Sequence, residues 1–451
     1  MAAQHLVGLA PRPIDLLPLL RIGALEGLWT CEAPDPAWAQ AFPTVAVSIE
    51  AATEIRERWR GPGIDALLAA GDHPPLPAPA VLAAYTLTPA WRAAVARSPY
   101  LSLPGRTPAR LPAPIAEKIA MRTWLARLGV PVPDSVIVFP GECDFAALAR
   151  RLGPVMVVQD PHGSGGVGTM RVTGPDDLDA ARRAHPRVHR WLASRWAGEV
   201  TVNLHGLVPA RGPVAVSVPS LQLSGIAEIG AGFGEYGGSD FTAPPRLLTG
   251  PLLDQCTALV RRIGLGLSGM GHVGLFGVDI AFDGDRLAVI EINARVQAST
   301  WLLGEIELGA GTAPMLARHF LALNDLPAAS AMEPPLPQGG STLIIRHTGS
   351  APVRAGSGLR PGVYGFGEAT AWRRAGIGLL DCGRDEVVVG DLPRPGSLVA
   401  PGATLARLTA SAPLALDSGH RLDPVAAAFV AAVQERIRPG SAPQPGAGLR
   451  V

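Results

Sequence analysis

Cysteine is scarce in this chain: only four occur among 451 residues, and they form no paired motif. The spacings typical of a zinc site or of a disulfide framework are therefore absent. Cys31, Cys143, Cys256 and Cys382 are predicted to be buried free thiols. This cysteine usage favours a reducing, cytoplasmic location.

An excess of charge of one sign and long apolar runs are also missing. The net charge is +1, which gives no reason to propose nucleic acid or an anionic membrane as a partner. No uninterrupted run of about 18 apolar residues occurs, so no transmembrane helix is predicted. The N-terminus also lacks the pattern of a signal peptide. With 47% hydrophobic and 17% charged residues, the composition predicts a globular protein of two to four domains.

The N-terminal part, up to about residue 105, predicts a small α/β unit. Strands are expected at 44–49 and 82–88, and helices at 14–25 and 51–60. A proline-rich stretch at 104–114 predicts a domain boundary.

Two apolar, branched runs in the second half flank an Asp-Gly-Asp turn. The runs are 274–282 and 286–295, and the turn is 283–285, which predicts an antiparallel hairpin. The hairpin is expected to bring Asp279 opposite Glu291.

Side chains on the second strand should alternate between two faces. Glu291, Asn293 and Arg295 are therefore expected on one face. Ile290 and Ile292 are expected in the core.

Carboxylate and amide oxygens on one face are ligands suited to Mg²⁺. Carboxylates on a hairpin are more often solvated surface groups. The strongly apolar flanks favour an internal hairpin, where a carboxylate needs a cation or another partner. Asp279, Glu291 and Asn293 are the candidate metal ligands.

Asp279 followed by the run from Glu291 to Gln297 resembles the metal-binding end of the ATP-grasp superfamily. The similarity is closest to the biotin-carboxylase and peptide-ligase branches, and its motifs cover about 110–330. It implies a mixed α/β (α+β) ATP-grasp fold with an N-terminal Rossmann-like domain and a β-rich C-terminal domain. The expected divisions are a pre-ATP-grasp domain at 1–108, an ATP-grasp domain at 109–330 (subdomains 109–200 and 200–330), a β-rich domain at 331–440 and a disordered tail at 441–451.

The resemblance extends to two segments that would bind nucleotide phosphates. Lys118 has no other lysine near it and lies in a predicted helix at 113–128. Its surroundings are similar to the segment whose lysine reaches the α- and β-phosphates. A glycine-rich turn at 162–169 resembles the phosphate-covering loop, although such a turn is more often only a tight hairpin. The loop candidates are Gly163, Ser164, Gly165, Gly166, Gly168 and Thr169.

The chain departs from the family pattern in two places. Gln159 stands where most of the family has a second lysine, and Arg171 or the loop amides are expected to substitute. Arg195 and Trp196 resemble the hinge that binds adenine through its backbone, but Ser194 stands where an acidic residue usually opens it. Glu199 is expected to reach the ribose.

The candidate substrate residues lie in two further stretches. A loop at 230–245 is rich in glycine and aromatic residues, and long loops of this kind tend to be functional. It supplies Tyr236 and Asp240. Arg295, Gln297 and Ser299 precede a predicted helix, where Ser299 and Thr300 suit an anion site or plain N-capping.

The resemblance implies an ATP-dependent ligase with Arg295 and Lys118 in catalytic roles and ATP and Mg²⁺ as cofactors. The γ-phosphoryl group of ATP would pass to a carboxylate, and an amine would displace phosphate from the acyl phosphate. The expected substrates are a small-molecule carboxylate (an amino acid or peptide) and an amine. The runs 293–300 and 236–241 look like those of peptide ligases from natural-product pathways. A homodimer is left open.

Two alternatives remain at this stage. A carboxylase-like enzyme would phosphorylate bicarbonate, but Ser299 stands where that branch keeps an acidic base. A nucleotide-binding protein with reduced catalysis would fit Gln159 and the altered hinge.

Overall fold

The computed structural model describes residues 5–42, 44–58, 79–108, 110–163, 165–284, 286–326, 339–366, 371–416 and 418–437. The tail predicted at 441–451 and the loop candidate Ser164 lie outside the described residues. No helix in these ranges is long and apolar enough to span a membrane. The four cysteines are free, and Cys256 is the fully buried one.

The N-terminal region contains a parallel sheet. Its strands and helices are β1 (His5–Ala10), α1 (Leu17–Arg21), β2 (Gly27–Thr30), α2 (Pro36–Ala41), β3 (Val45–Ser48), α3 (Ile49–Thr53), β4 (Ile55–Arg56), β5 (Ala80–Ala84), α4 (Pro89–Arg97) and β6 (Leu101–Ser102), with a 3₁₀ helix at Pro13–Leu16. The sheet order is β3-β2-β1-β5-β6. This parallel arrangement agrees with the expected Rossmann-like unit.

The helix predicted at 51–60 is wrong for residues 54–58, and residues 59 and 60 lie outside the described residues. Helix α3 ends at Thr53, because Glu54 adopts the left-handed conformation with φ of 56°, and the chain continues as strand β4. The helix predicted at 14–25 is shorter than expected and ends before Gly23, which also has a positive φ.

The next region is a lobe built on a four-stranded antiparallel sheet. Its elements are a 3₁₀ helix at Ala113–Ile115, α5 (Lys118–Arg127), β7 (Ser135–Val138), α6 (Phe145–Leu152), β8 (Met156–Gln159), β9 (Thr169–Val172), α7 (Pro175–Ala184) and β10 (Trp191–Arg195). The strand order is β7-β10-β8-β9. Turn 162–169 therefore joins two paired strands, as predicted.

The second lobe contains the hairpin and the helices that cover it. Its elements are β11 (Val200–Val208), β12 (Ala215–Val216), β13 (Ser220–Ser224), a 3₁₀ helix at Ala227–Ile229, β14 (Tyr236–Asp240), α8 (Pro244–Leu247), α9 (Gly250–Gly269), β15 (Gly274–Asp283), β16 (Arg286–Asn293), α10 (Thr300–Gly309) and α11 (Met315–Leu323). Met121 and Leu125 of α5 share one buried cluster with Val278 and Ile292 of the hairpin. This packing carries the N-terminus of α5 to the hairpin.

The C-terminal region is β-rich, as expected. Its elements are β17 (Ser341–Arg346), β18 (Val353–Arg354), β19 (Gly362–Gly365), β20 (Trp372–Arg374), a 3₁₀ helix at Leu379–Asp381, β21 (Glu386–Gly390), β22 (Leu398–Val399), β23 (Thr404–Ala410), β24 (Ala415–Leu416), β25 (Arg421–Leu422) and α12 (Pro424–Arg436). One sheet runs β16-β15-β11-β13-β14-β17-β23-β21-β19-β20, so it is continuous across the division expected at 330.

The loop predicted at 230–245 is partly wrong, because it contains strand β14. This strand pairs with β13 on one side and β17 on the other. A Cβ at Gly238 would collide with the backbone carbonyl of Thr342, so the close strand approach requires glycine there. A glycine-rich strand lacks the apolar alternation that would have revealed it.

The hairpin register confirms one prediction and corrects another. Asp279 lies opposite Glu291, as expected, but Ile280 then pairs with Val289. Ile290 is therefore the extra residue of a β-bulge, which shifts the alternation. Ile292 is buried as predicted, whereas Val289, and not Ile290, occupies the other core position.

Candidate nucleotide and metal site

Lys118 lies at the point where three parts of the chain meet. It is the first residue of α5, and its side chain is largely buried against the opposite lobe. Its Nζ donates a hydrogen bond to the carbonyl oxygen of Gly163 and lies 3.7 Å from Oε1 of Glu291. The structure thus brings together the predicted phosphate lysine, the glycine-rich turn and one predicted metal ligand.

Asp279 is 5% exposed, and its Oδ1 accepts a hydrogen bond of 2.6 Å from Nδ2 of Asn203. Burial raises the pKa of Asp279 to about 7, and the facing Glu291 adds to the rise, while Asn203 and Arg295 oppose it. A cation between the two carboxylates would favour the charged form of Asp279 and so oppose the effects of burial and of the Glu291 charge on its pKa.

The metal candidates comprise two carboxylates and one amide. Oδ1 of Asn293 accepts a hydrogen bond of 3.3 Å from Nη2 of Arg295, and an amide oxygen has a second lone pair for a cation. The described residues contain no group of three or more histidine, cysteine, aspartate or glutamate residues suited to a metal. Mg²⁺ is commonly held by only one or two carboxylates, with water and phosphates completing its shell. Asp279, Glu291 and Asn293 therefore fit Mg²⁺ bound together with a nucleotide.

The glycine-rich turn contacts the opposite lobe. Gly165, Gly166 and Gly168 have φ values of 60°, 83° and 75°. A Cβ at Gly166 would collide with the carbonyl oxygen of Gly234, so this approach requires glycine. Thr169 N donates to Gly166 O at 3.1 Å, which closes the turn. The segment is thus a tight hairpin turn that also contacts the second lobe.

The side chain of Gln159 makes a long contact of 3.4 Å, from its Nε2 to Oγ1 of Thr169. The predicted substitute, Arg171, lies 3.5 Å from Oε1 of Glu199 and stacks over the ring of Trp196 at 4.7 Å. The structure therefore groups Arg171 with the predicted adenine and ribose residues. Its role as a replacement for the second lysine stays a prediction.

Sequence reasoning missed Arg122. It lies one helical turn after Lys118 and is buried, with Nη2 donating to Ile290 O at 3.4 Å. Burial lowers the pKa of Arg122 to about 10, and the charge of Glu291 opposes this shift. Its Nε and Nη1 have no hydrogen-bond partner in the described part of the chain. The i, i+4 spacing from Lys118 was the signal that could have found it.

The backbone N–H groups of the predicted adenine hinge bond within their own lobe, whereas the ring of Trp196 contacts the second lobe. Arg195 N donates to Asp134 O at 2.8 Å, and its Nε lies 3.2 Å from Oδ2 of the same residue. Trp196 N donates to Val155 O at 3.3 Å, and its ring stacks with that of Phe233 at 5.9 Å. Because both N–H groups are already bonded, an adenine that binds here would have to bond to other groups.

Gln297 belongs to a buried polar chain next to Asp279. Asn203 Nδ2 donates to Oε1 of Gln297 at 3.0 Å, in addition to its bond with Asp279. Gln297 N donates to Oγ1 of Thr300 at 2.9 Å, and this hydroxyl also bonds Nε2 of His205 at 3.0 Å. The chain therefore links the metal candidate to the start of α10.

Plain N-capping by Ser299 is wrong. Ser299 occupies the N-cap position of α10 but has φ of −93° and ψ of −8°, and its side chain makes no cap hydrogen bond. Its Oγ instead lies 3.5 Å from Nε2 of His205.

The substrate candidates on β14 are buried or half-buried. The Tyr236 hydroxyl bonds Oγ of Ser239 at 2.9 Å. Asp240 is fully buried, and its Oδ1 accepts bonds of 2.6 Å from both the backbone N–H and the hydroxyl of Thr242. Asp240 thus has a structural partner already, and its role toward a substrate stays a prediction.

No protein-family model matches the chain. A curated relative, N5-carboxyaminoimidazole ribonucleotide synthase from Synechococcus elongatus, is 25% identical over 220 residues. The match covers 48% of this chain and 51% of the relative, so it spans about half of each protein.

Two solved structures resemble the chain over most of its length. Carboxyaminoimidazole ribonucleotide synthase from Aspergillus clavatus, complexed with ATP, has a TM-score of 0.56 at 15% identity, with 96% of this chain and 99% of that chain covered. The biotin carboxylase domain of Hydrogenobacter thermophilus 2-oxoglutarate carboxylase, with MgADP, ADP and bicarbonate, has a TM-score of 0.53 at 12% identity, covering 90% and 86%. The fold expected from the sequence is therefore confirmed.

Proposed function

Because the chain has the fold of the ATP-grasp ligases, we propose that it is an ATP-dependent ligase that joins a carboxylate to an amine and releases ADP and phosphate. One observation carries the proposal. Lys118 Nζ contacts both the glycine-rich turn at Gly163 and the acidic hairpin at Glu291. A lysine, a glycine-rich turn and paired carboxylates at one point are what a metal–nucleotide complex requires.

The chemistry follows from the charges at this point. A carboxylate oxygen is a poor leaving group, and transfer of the γ-phosphoryl group to the carboxylate makes a reactive acyl phosphate. This step gathers negative charge, which fixed cations and N–H groups stabilise. Asp279, Glu291 and Asn293 would hold Mg²⁺, which supplies charge neutralisation between the phosphates.

Lys118 and the amides of the glycine-rich turn would hold the phosphates, with Arg122 as a second positive charge. Arg295 would stabilise the transferring group and the oxyanion. Its guanidinium is held by Val296 O at 3.0 Å and by Oδ1 of Asn293.

For substrates we propose an amino acid or peptide carboxylate and an amine, in a natural-product pathway of the cytoplasm. The runs 293–300 and 236–241 support this class through their resemblance to peptide ligases. Ser299 supports it as well, because a hydroxyl there cannot act as the acidic base of a carboxylase.

A second candidate is the use of bicarbonate as the carboxylate. The curated relative is named as a synthase of a carboxylated amine, and one structural neighbour holds bicarbonate. The two candidates share the phosphoryl-transfer step and differ in the acid that attacks the γ-phosphorus.

Acid labelled with ¹⁸O in its carboxylate distinguishes them. The protein is incubated with ATP, Mg²⁺ and panels of amino acids, peptides and amines, in buffer with and without bicarbonate. The proposal expects ADP as the nucleotide product and one ¹⁸O atom in the released phosphate. Turnover that requires bicarbonate and leaves the label in the acid would favour the second candidate. AMP as the product, or ATP binding without turnover, would contradict both.

A further inference from the structure

Three arginines from distant parts of the chain lie near strand β14. Arg12 follows β1, Arg346 ends β17, and Arg407 lies in β23. Arg346 donates to the carbonyl oxygen of Tyr236, and Arg407 Nη1 lies 3.5 Å from Oγ1 of Thr342, a β17 residue that pairs with β14. Arg12 lies near enough for its charge to affect the pKa of both Tyr236 and Arg346. Arg12, Arg346 and Arg407 are called the arginine cluster below.

Only two members of the arginine cluster have an acidic partner among the described residues. Arg12 Nη2 lies 2.9 Å from Oδ1 of Asp15, and Arg407 Nε lies 2.7 Å from Oδ2 of Asp391. Arg346 pairs with no carboxylate in that part of the chain, and its Nη2 donates to the carbonyl oxygen of Tyr236.

Donor groups in the arginine cluster are left unused. Nη1 of Arg346 and Nη2 of Arg407 are buried and have no hydrogen-bond partner among the residues that the structure describes. Arg346 is 9% exposed and Arg407 is 1% exposed, so bulk water does not replace the missing partners. Buried donors without partners are costly, and a buried charge without a counter-charge more so.

The surroundings of Arg346 are positive as well as buried. Burial lowers the pKa of Arg346 to about 10, and the repulsion of Arg58 contributes next, ahead of the opposing attraction of Glu235. Glu235 is already paired with Arg58, whose Nη2 lies 2.9 Å from its Oε1. A counter-charge for Arg346 must therefore come from elsewhere.

The arginine cluster adjoins the proposed reaction centre through Tyr85, which follows β5. Tyr85 N donates to Leu9 O at 2.8 Å, which fixes it beside β1. Burial raises the pKa of its hydroxyl to about 12; the charges of Arg295 and Arg12 oppose this rise, and Asp15 and Tyr236 add to it. The charges of Arg295 and of Arg12, a member of the arginine cluster, therefore affect the same hydroxyl.

We propose that the arginine cluster binds an anionic group, a carboxylate or a phosphate, of the substrate other than ATP. The inference rests on the proposed function, because it assigns the second substrate of that reaction. An oxyanion would supply the counter-charge that Arg346 lacks and accept from the unused guanidinium N–H groups. Planar guanidinium groups match such oxyanions with two parallel hydrogen bonds. Substrates without a second anionic group would bind poorly.

The test uses inorganic phosphate and acetate as probes, with sodium chloride holding the ionic strength constant. Thermal unfolding is followed for the full chain and for Arg346→Gln, Arg346→Lys, Lys118→Ala and the exposed control Arg354→Gln. One or both anions should raise the unfolding temperature of the full chain, Arg354→Gln and Lys118→Ala. Arg346→Gln should weaken anion binding at least about tenfold, and Arg346→Lys should restore part of it.

The anion that protects better identifies the source as a phosphate or a carboxylate substrate. The inference is overturned if neither anion protects the full chain more than chloride, or if Arg346→Gln is protected equally. Protection lost only in Lys118→Ala would place the anion at the nucleotide site and would also overturn it. A full chain that binds the anions but does not respond to MgATP would contradict the proposed function alone.

Discussion

At the scale of single residues, the sequence predicted the three groups that meet at the candidate nucleotide and metal site. Of the chain's 39 lysine and arginine residues, only Lys118 is a lysine, and it meets Gly163 and Glu291. Family motifs pointed to each of these residues separately. Arg122 was missed although its i, i+4 spacing from Lys118 offered a signal. Arg346 was not predicted, because a buried arginine without a motif looks like any other arginine in a sequence rich in them.

Replacing Lys118 with alanine should weaken ATP binding strongly, because a hydrogen bond to a charged group is worth about 1.5–3 kcal/mol. That range corresponds to roughly ten- to more than a hundredfold in affinity. Isothermal titration calorimetry measures the change. Arg127→Ala is the matched control, since Arg127 lies in the last turn of the same helix and is exposed.

The single lysine also permits a direct check on the parent protein. An amine-directed reagent can modify only Lys118 and the N-terminal amine. MgATP should slow labelling of the peptide containing Lys118 and leave labelling of the N-terminus unchanged, as measured by mass spectrometry. Equal labelling with and without MgATP would mean that Lys118 is not covered by the nucleotide.

The raised pKa of Asp279 predicts a pH-dependent cost to the folding stability of the metal-free protein. Its folded pKa, about 7, lies above the usual value of about 3.9, so the folded state binds this proton more tightly than the unfolded state. The free energy of unfolding should therefore fall as pH rises from about 4 to 7. Asp279→Asn removes this cost while keeping an oxygen that accepts from Asn203.

Chemical denaturation in the presence of a chelator measures this effect. The stability advantage of Asp279→Asn over the parent should grow between about pH 4 and 7 and then level off. Added Mg²⁺ and ATP should stabilise the parent and not the variant. A constant difference across this pH range would show that Asp279 is not a buried, proton-binding carboxylate.

At the scale of elements, long periodic segments were predicted and local irregularities were not. The hairpin and helix α5 followed from their apolar patterns. The bulge at Ile290 did not, because an inserted residue changes the period without changing the residue types. Strand β14 was also missed, since Gly237 and Gly238 give no apolar alternation and one of its two partners, β17, lies far along the chain.

The glycine-rich turn offers a test in which two substitutions differ in one respect. Gly165 and Gly166 both have positive φ, so alanine strains the backbone at either position. Only at Gly166 would the new Cβ collide with the opposite lobe, whereas at Gly165 it meets no neighbouring atom. Gly166→Ala should therefore hold the turn away from Gly234 and raise the KM for ATP more than Gly165→Ala does.

Hydrogen exchange of the turn reports the mechanism separately from activity. Faster exchange around 163–169 and around 232–235 in Gly166→Ala alone would show that contact between the lobes has been lost. Equal KM values and equal exchange in the two variants would show that these glycines serve only the turn itself and not the contact with the second lobe.

At the scale of the whole molecule, the N-terminal and C-terminal regions are joined by strand pairing. Strand β4 pairs with β22, which joins residues 55–56 to residues 398–399. The C-terminal strands also extend the sheet of the acidic hairpin. Apolar patterns and motifs did not predict these pairings, because a two-residue strand has no period and its partner lies more than 300 residues away.

Arg56 is the charged residue at this junction, and its removal should destabilise the whole protein. It is 1% exposed, with Nη2 at 2.7 Å from Oε2 of Glu50 and Nη1 donating to Asp391 O at 2.6 Å. Breaking a buried ion pair by removing one partner costs about 3–5 kcal/mol, since the remaining charge is left uncompensated. Arg56→Ala should lower the free energy of unfolding by about that amount, as measured by denaturant titration.

Two further variants separate this ion pair from a general loss of packing. Arg286→Ala removes an exposed arginine 3.6 Å from Asp283 and should change stability by about 1 kcal/mol or less. The second variant must replace Glu32 as well as Glu50, because Oε2 of Glu32 lies 3.3 Å from Nη1 of Arg56 and this side chain is also buried. Arg56→Met combined with Glu50→Gln and Glu32→Gln should recover much of the loss, because no carboxylate that paired with Arg56 keeps its charge. If this triple variant is as unstable as Arg56→Ala, the contribution of Arg56 lies instead in its bonds to the carbonyls of Asp391 and Leu392, and the junction is held by the backbone of the C-terminal region.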